Sequence, residues 1–148
     1  MDKNPTAEQT DAPPRVVFQT VNITKTYQMG EVQVHALRGV DLELYEGEFV
    51  VMLGPSGSGK STLLNILGGL DAPSSGTVHY EDHDLSTFKD SVLTRYRRDH
   101  VGFVFQFYNL MSNLTAKENV ELATEICREA LNIDDVMDAV GLKERSDH

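Results

Sequence analysis

Apolar and polar residues alternate along the first third of the chain. The alternation runs from Val16 to Tyr27, again from Val32 to Leu37, and again from Val40 to Leu44. A period of two predicts strands with one face buried and one wet. In the first strand the pattern places Val17, Gln19, Val21 and Ile23 on one face, and Phe18, Thr20, Asn22 and Thr24 on the other. Turn chemistry at Met29-Gly30-Glu31 and Tyr45-Glu46-Gly47 breaks the run, so an antiparallel region opens the fold.

The pattern then changes. Phe49-Val50-Val51-Met52-Leu53 is a continuous apolar run and predicts a buried strand. Leu63, Leu64, Ile66, Leu67 and Leu70 predict a helix that is apolar on most sides, hence buried, and stopped by Gly68-Gly69 and Asp71-Ala72-Pro73. Gly76 to Tyr80 reads as a short strand and Ser86 to Arg98 as a helix. Val101 to Phe105 reads as a buried parallel strand. Thr115-Ala116-Lys117-Glu118 is a capping box. It predicts a helix to about Ala130, with Val120, Ala123, Cys127 and Ala130 on one face. A last helix spans about Ile133 to Val140 and stops at Gly141. Strands mixed with helices in this order predict an α/β fold.

Between the apolar run and its helix lies Gly54-Pro55-Ser56-Gly57-Ser58-Gly59-Lys60-Ser61-Thr62. This fits the phosphate-binding pattern G-x-x-x-x-G-K-[ST]. A polyphosphate needs many donors at short range. Glycines at 54, 57 and 59 permit positive φ and let backbone N–H groups converge. The helix that follows adds unpaired N–H groups and a partial positive charge. Lys60 is expected to reach the β- and γ-phosphates, and the Ser61 hydroxyl to ligate Mg²⁺.

Composition narrows the alternatives. The chain has 148 residues, 13 basic and 23 acidic, for a formal charge of −10. Such acidity disfavours nucleic-acid binding. Arg95-Tyr96-Arg97-Arg98, followed by Asp99, reads as a solvated helix face. Cys127 is the single cysteine, which excludes a disulfide framework and suits a reducing compartment; as a side chain it reads as a small buried apolar residue. His79, Asp82, His83 and Asp84 resemble a metal cluster, but a hairpin turn rich in these residues is ordinary. No apolar run reaches the ~20 residues of a membrane span. Residues 1–15 are polar, carry Pro5, Pro13 and Pro14, and read as a disordered tail.

Residues 16–148 resemble the N-terminal part of the ATP-binding domain of an ABC transporter, within the exporter group of lipoprotein-releasing and macrolide-export ATPases. The resemblance is carried by residues 34–41 (VHALRGVD), 47–50 (GEFV), the phosphate loop, 66–71 (ILGGLD), 96–98 (YRR) and 101–106 (VGFVFQ). It implies a P-loop core with an N-terminal antiparallel subdomain and a partial helical subdomain. It implies ATP and Mg²⁺ as ligands. Tyr27 occupies the place of an aromatic that stacks on adenine. Gln106 matches the glutamine that reaches Mg²⁺ and the attacking water. Residues 107–114, with Phe107, Leu110 and Met111, resemble the segment that faces a transmembrane permease subunit. The implied setting is a head-to-tail homodimer, held at the cytoplasmic face of the membrane through that partner, with no direct membrane insertion.

The 148 residues stop at Lys143-Glu144-Arg145-Ser146-Asp147-His148, where the family's LSGGQ signature would follow almost immediately. No LSGGQ-like run and no apolar strand ending in Asp-Glu occurs in the 148 residues, nor does a switch histidine. The expectation is a chain that binds ATP but hydrolyses it poorly and is marginally stable alone. Two alternatives stay open on the residues. One is a non-catalytic nucleotide-binding or partner-docking piece. The other is a nucleoside-monophosphate kinase, since the loop also resembles that of guanylate kinase, although an antiparallel region precedes it here.

Overall fold

The computed structural model describes residues 14–104, 109–125, 127 and 129–147. They fall into two compact units, split between Phe88 and Lys89.

The first unit is built on a long hairpin. Strand β1 (Val16–Met29) and strand β2 (Val32–Tyr45) pair antiparallel from Val16 opposite Tyr45 to Met29 opposite Val32. The two residues between them, Gly30 and Glu31, make the turn, and Gly30 takes φ +62°. Strand β3 (Ser75–Tyr80) joins the free edge of β1, and the two-residue β4 (His83–Asp84) follows it. The sheet order is β2-β1-β3-β4, antiparallel throughout. The three alternating segments thus form two strands, because Arg38-Gly39 continues β2 instead of breaking it.

The faces of β1 differ from simple alternation. Thr20 and Ile23 are buried, whereas Val21 is 48% exposed. The register slips between Thr20 and Ile23, where Asn22 takes φ +48°. A bulge adds one residue and so exchanges the faces beyond it. It is fixed from β2: the Asp41 carboxylate accepts from the Asn22 N–H at 2.6 Å. Gly39, at φ +83°, leaves room for the Asn22 side chain, whose Oδ1 would lie 2.7 Å from a Cβ there. The core of this unit is Ile23, Leu37, Ile66, Leu67, Val78 and Leu85. Thr20 is buried with its hydroxyl donating to the Val40 carbonyl.

Helix α1 (Lys60–Leu67) buries Ile66 and Leu67, but Leu64 is 54% exposed. One face of it is therefore uncovered among the described residues, against the expectation of burial on most sides. The larger departure is at residues 48–54, which form no strand. Phe49 is 93% exposed, and Val50, Val51 and Leu53 are exposed with it. No described strand runs beside them, so their backbone finds no ladder and their side chains no cover. Residues 101–104, in the second unit, likewise form no strand, and Val104 is fully exposed. Phe105 lies outside the described residues.

The expected helix from Ser86 divides. A 3-10 turn at Leu85–Thr87, capped by the Asp84 carboxylate on the Ser86 N–H, closes the first unit, and extended backbone at Phe88 ends it. The second unit opens with α2 (Asp90–His100), whose buried residue is Tyr96. Arg95 and Arg98 are exposed, and Arg98 pairs with Asp99 at 2.8 Å, as a solvated face should.

Helix α3 (Ala116–Thr124) starts at the expected capping box, with Thr115 and Glu118 each accepting from the other's N–H. It stops earlier than Ala130. Thr124 turns its hydroxyl onto the Glu121 carbonyl at 2.7 Å, satisfying one of the free carbonyls of the helix end. Cys127 consequently lies beyond the helix and is exposed, not buried. Helix α4 (Ile133–Ala139) buries Met137. Gly141, at φ +71°, closes it, with the Leu142 N–H donating to Met137 and the Gly141 N–H to Asp138.

Candidate functional site

The glycine-rich loop joins the uncovered run 48–53 to α1. Gly57 takes φ +79° and Gly59 φ +89°, the left-handed region that glycine enters without strain. Gly59 also meets β2 at close range. A Cβ there would stand 2.5 Å from the Ala36 carbonyl oxygen and 2.9 Å from a Leu37 methyl. The loop is thus pinned to the sheet at its last glycine, and α1 starts from a fixed point.

Lys60 folds back over the loop. Its ammonium donates to the carbonyls of Gly54 and Pro55, both at 2.8 Å, and to the Ser58 hydroxyl at 3.2 Å. One cation therefore gathers the two ends of the loop. The start of α1 has no side-chain cap, and its first turn holds no acidic residue. Its first N–H groups and the positive end of its dipole face the loop without a capping side chain. Ser61 is exposed in this first turn, and Thr62 is half-buried. Together Gly54, Pro55, Ser56, Gly57, Ser58, Gly59, Lys60, Ser61 and Thr62 present backbone donors, one cation and several hydroxyls. A cleft of about 410 Å³ runs beneath them, lined on its apolar side by Leu37, Val40, Met52 and Leu63.

Tyr27 sits near the end of β1, opposite Val34 on β2. Its hydroxyl donates to the Asp71 carboxylate at 2.7 Å. That bond ties Tyr27 to the segment that follows the phosphate-loop helix. The Asp71 hydrogen bond, with burial, pushes the Tyr27 hydroxyl above its ordinary pKa. Asp71 receives Lys25 as well, Nζ to Oδ1 at 2.5 Å. Burial alone would raise the Asp71 carboxyl, but the hydrogen bonds from Lys25, Tyr27 and the Ala72 N–H outweigh it and hold the group below the ordinary carboxylate range. The sequence reading missed Lys25 and Asp71. No spacing links residues 46 apart, and only the ILGGLD run put Asp71 near the site.

Gln106, Phe107 and Tyr108 lie outside the described residues. Leu110 and Met111 are exposed, as expected of the segment that contains them. Asn119 holds that segment in the second unit: its Oδ1 accepts from the Met111 N–H, and its Nδ2 donates to the carbonyls of Leu114 and Thr115. Among the described residues there is no group of three or more His, Cys, Asp or Glu side chains that could hold a metal ion; His79 lies opposite Asp84 and His83 opposite Tyr80 in the hairpin of β3 and β4. No helix among them is long and apolar enough to cross a membrane.

Sheet, loop and helix define the class first: an α/β P-loop domain with an antiparallel subdomain and a partial helical one. Comparison then gives the family. The ABC transporter family profile matches residues 37–148, and the chain belongs to that family. It is 48% identical over 140 residues to an uncharacterised ABC transporter ATP-binding protein of Thermotoga maritima, covering 89% of this chain and 58% of that protein. It is 50% identical over 109 residues to the macrolide export ATP-binding/permease protein MacB of Marinobacter nauticus, covering 74% of this chain and 17% of MacB. The fold matches the ATP-binding cassette MJ0796, solved as a dimer with ADP and Pi, with TM-score 0.77 and 42% identity, over 88% of this chain and 60% of that one. The chain thus spans about three-fifths of the cassette-sized proteins it resembles.

Proposed function

We propose that this chain is the nucleotide-binding part of an ABC-type export system and binds Mg-ATP at residues 54–62. The observation that carries it is the loop itself. Lys60 sits over a glycine-rich turn whose glycines take positive φ, next to an uncapped helix start free of acidic residues. Such a site is complementary to a polyphosphate and to little else. Lys60 pairs the β- and γ-phosphates, and Tyr27 stacks on the adenine. Ser61 offers a single hydroxyl oxygen, which suits a cation held mainly by phosphate and water. When bound, Mg²⁺ supplies charge neutralisation between the terminal phosphates. Gln106 completes the cation's surroundings and orients the attacking water.

The partner reading rests on the segment 107–114. Leu110 and Met111 present apolar surface on a loop held by Asn119. That is how half of an interface is built. The occupant is a transmembrane permease subunit, and the cassette pairs head to tail with a second copy at the cytoplasmic face of the membrane. Residues 1–148 taken alone bind ATP and turn it over slowly, because transition-state charge needs donors from a second surface. The domain boundary follows the same reading: residues 16–148 belong to the cassette.

Equilibrium binding of ATP with and without Mg²⁺ tests the site. ATP is expected to bind more tightly with Mg²⁺ present, and Ser61→Ala is expected to remove that difference. Equal binding of ATP and of inorganic phosphate-free nucleoside would contradict a phosphate site.

A further inference from the structure

The geometry points to Asp71, acting with Lys25, as the positioning residue that sets the Tyr27 ring for a purine base. This rests on the reading of Tyr27 as the base-stacking residue. Both oxygens of the Asp71 carboxylate are committed. Oδ2 accepts from the Tyr27 hydroxyl at 2.7 Å, which fixes the far edge of the ring. Oδ1 accepts from Lys25 and from the Ala72 N–H. Lys25 is held a second time by the Ala72 carbonyl at 2.7 Å. Its ammonium lies over the Tyr27 ring, 4.9 Å from the centroid. One carboxylate therefore fixes both the ring and the cation that covers one of its faces.

Two consequences follow from this arrangement. A cation over one face leaves the opposite face for a flat ligand, so the base has one side on which to stack. A tyrosine held only by its backbone could rotate about χ1 and χ2, and a base would have to stop that motion on binding. Anchored at its hydroxyl, the ring is set in advance and the base does not carry that cost. The anchor is also well placed along the chain. Asp71 lies four residues past the end of α1, and α1 begins in the phosphate loop. The ring is thus registered to the helix that presents the phosphate donors.

The ligand class that feels this device is a purine nucleotide; a bare polyphosphate does not. The experiment titrates Mg-ATP and Mg-tripolyphosphate into the full chain and four variants. Tyr27→Ala should weaken ATP about ten-fold and leave tripolyphosphate unchanged, since one base stack is lost. Asp71→Asn should weaken ATP about three- to ten-fold and tripolyphosphate less than about two-fold. Asp71→Asn added to Tyr27→Ala should cost nothing further, because the ring it positions is gone. Lys25→Met, which keeps Asp71, should show the same base-selective loss as Asp71→Asn, though smaller. An ATP affinity untouched by Tyr27→Ala would defeat the stacking reading and this inference together. A loss with Tyr27→Ala but none with Asp71→Asn overturns the inference and leaves stacking standing. Equal losses for ATP and tripolyphosphate with Asp71→Asn also overturn it, since that marks general loosening. If Asp71→Asn fails to fold, Lys25→Met decides: no base-selective loss there overturns it.

Discussion

Residues 16–45 and residues 48–54 are both rich in β-branched and aromatic side chains, yet only the first stretch forms strands. The first finds its partner next door. A two-residue turn at Gly30-Glu31 returns the chain on itself, and the hairpin closes from local sequence. The second carries the pattern of a strand buried on both faces. Such a strand needs parallel neighbours reached through long crossovers. Among the described residues none stands beside it. An apolar run thus records a demand for burial, while the neighbours that meet the demand lie elsewhere in the sequence.

Hydrogen exchange probes this contrast with the largest expected effect. Amides of β1 that bond to β2 should exchange about 100-fold or more slowly than those of residues 49–53, which have no ladder. Similar protection in both stretches would mean that the run finds partners in solution. Next come paired core deletions. Ile23→Ala should cost about 2–5 kcal/mol in urea unfolding, because Ile23 is fully buried in the sheet core. Phe49→Ala should fall within about 0.5 kcal/mol of zero, because that ring is already in solvent.

Gly59→Ala sharpens the comparison at the point where the loop meets the sheet. The added methyl meets the Ala36 carbonyl at 2.5 Å in a backbone of φ +89°. A loss of about 1–3 kcal/mol is expected by urea unfolding, with displaced α1 resonances in NMR. A neutral outcome would show that the loop is not pinned to β2. The smallest effect concerns pH. Folding lowers the Asp71 pKa, so its contribution is present above the ordinary carboxylate range and fades as pH falls through the depressed folded value. The wild-type urea midpoint should therefore drop further than that of Asp71→Asn between about pH 5 and 3. Parallel curves would remove Asp71 from the account.

Local signals were the legible part of this fold. The hairpin, the capping box at Thr115, the Gly141 stop and the phosphate loop are all set by residues within a few positions of one another. The bulge at Asn22 was not legible, because it depends on Asp41 and Gly39 across the sheet. Ile23 was grouped with Val21 and opposite Thr20 as a result, whereas Ile23 and Thr20 are buried and Val21 is exposed. The early end of α3 at Thr124 was not legible either, although its hydroxyl bonds back to the Glu121 carbonyl there. Near the site, Tyr27 was found through family pattern, whereas its anchor needed three dimensions. Lys25, Tyr27 and Asp71 meet only because β1 runs past the end of α1.

The central claim is that residues 54–62 form a phosphate site in which Lys60 supplies the cation. Isothermal titration of Mg-ATP into the chain and into Lys60→Ala tests it most directly. Losing one charge-assisted pairing of about 1.5–3 kcal/mol should weaken binding roughly ten- to hundred-fold. Equal affinity in the two proteins would contradict the claim.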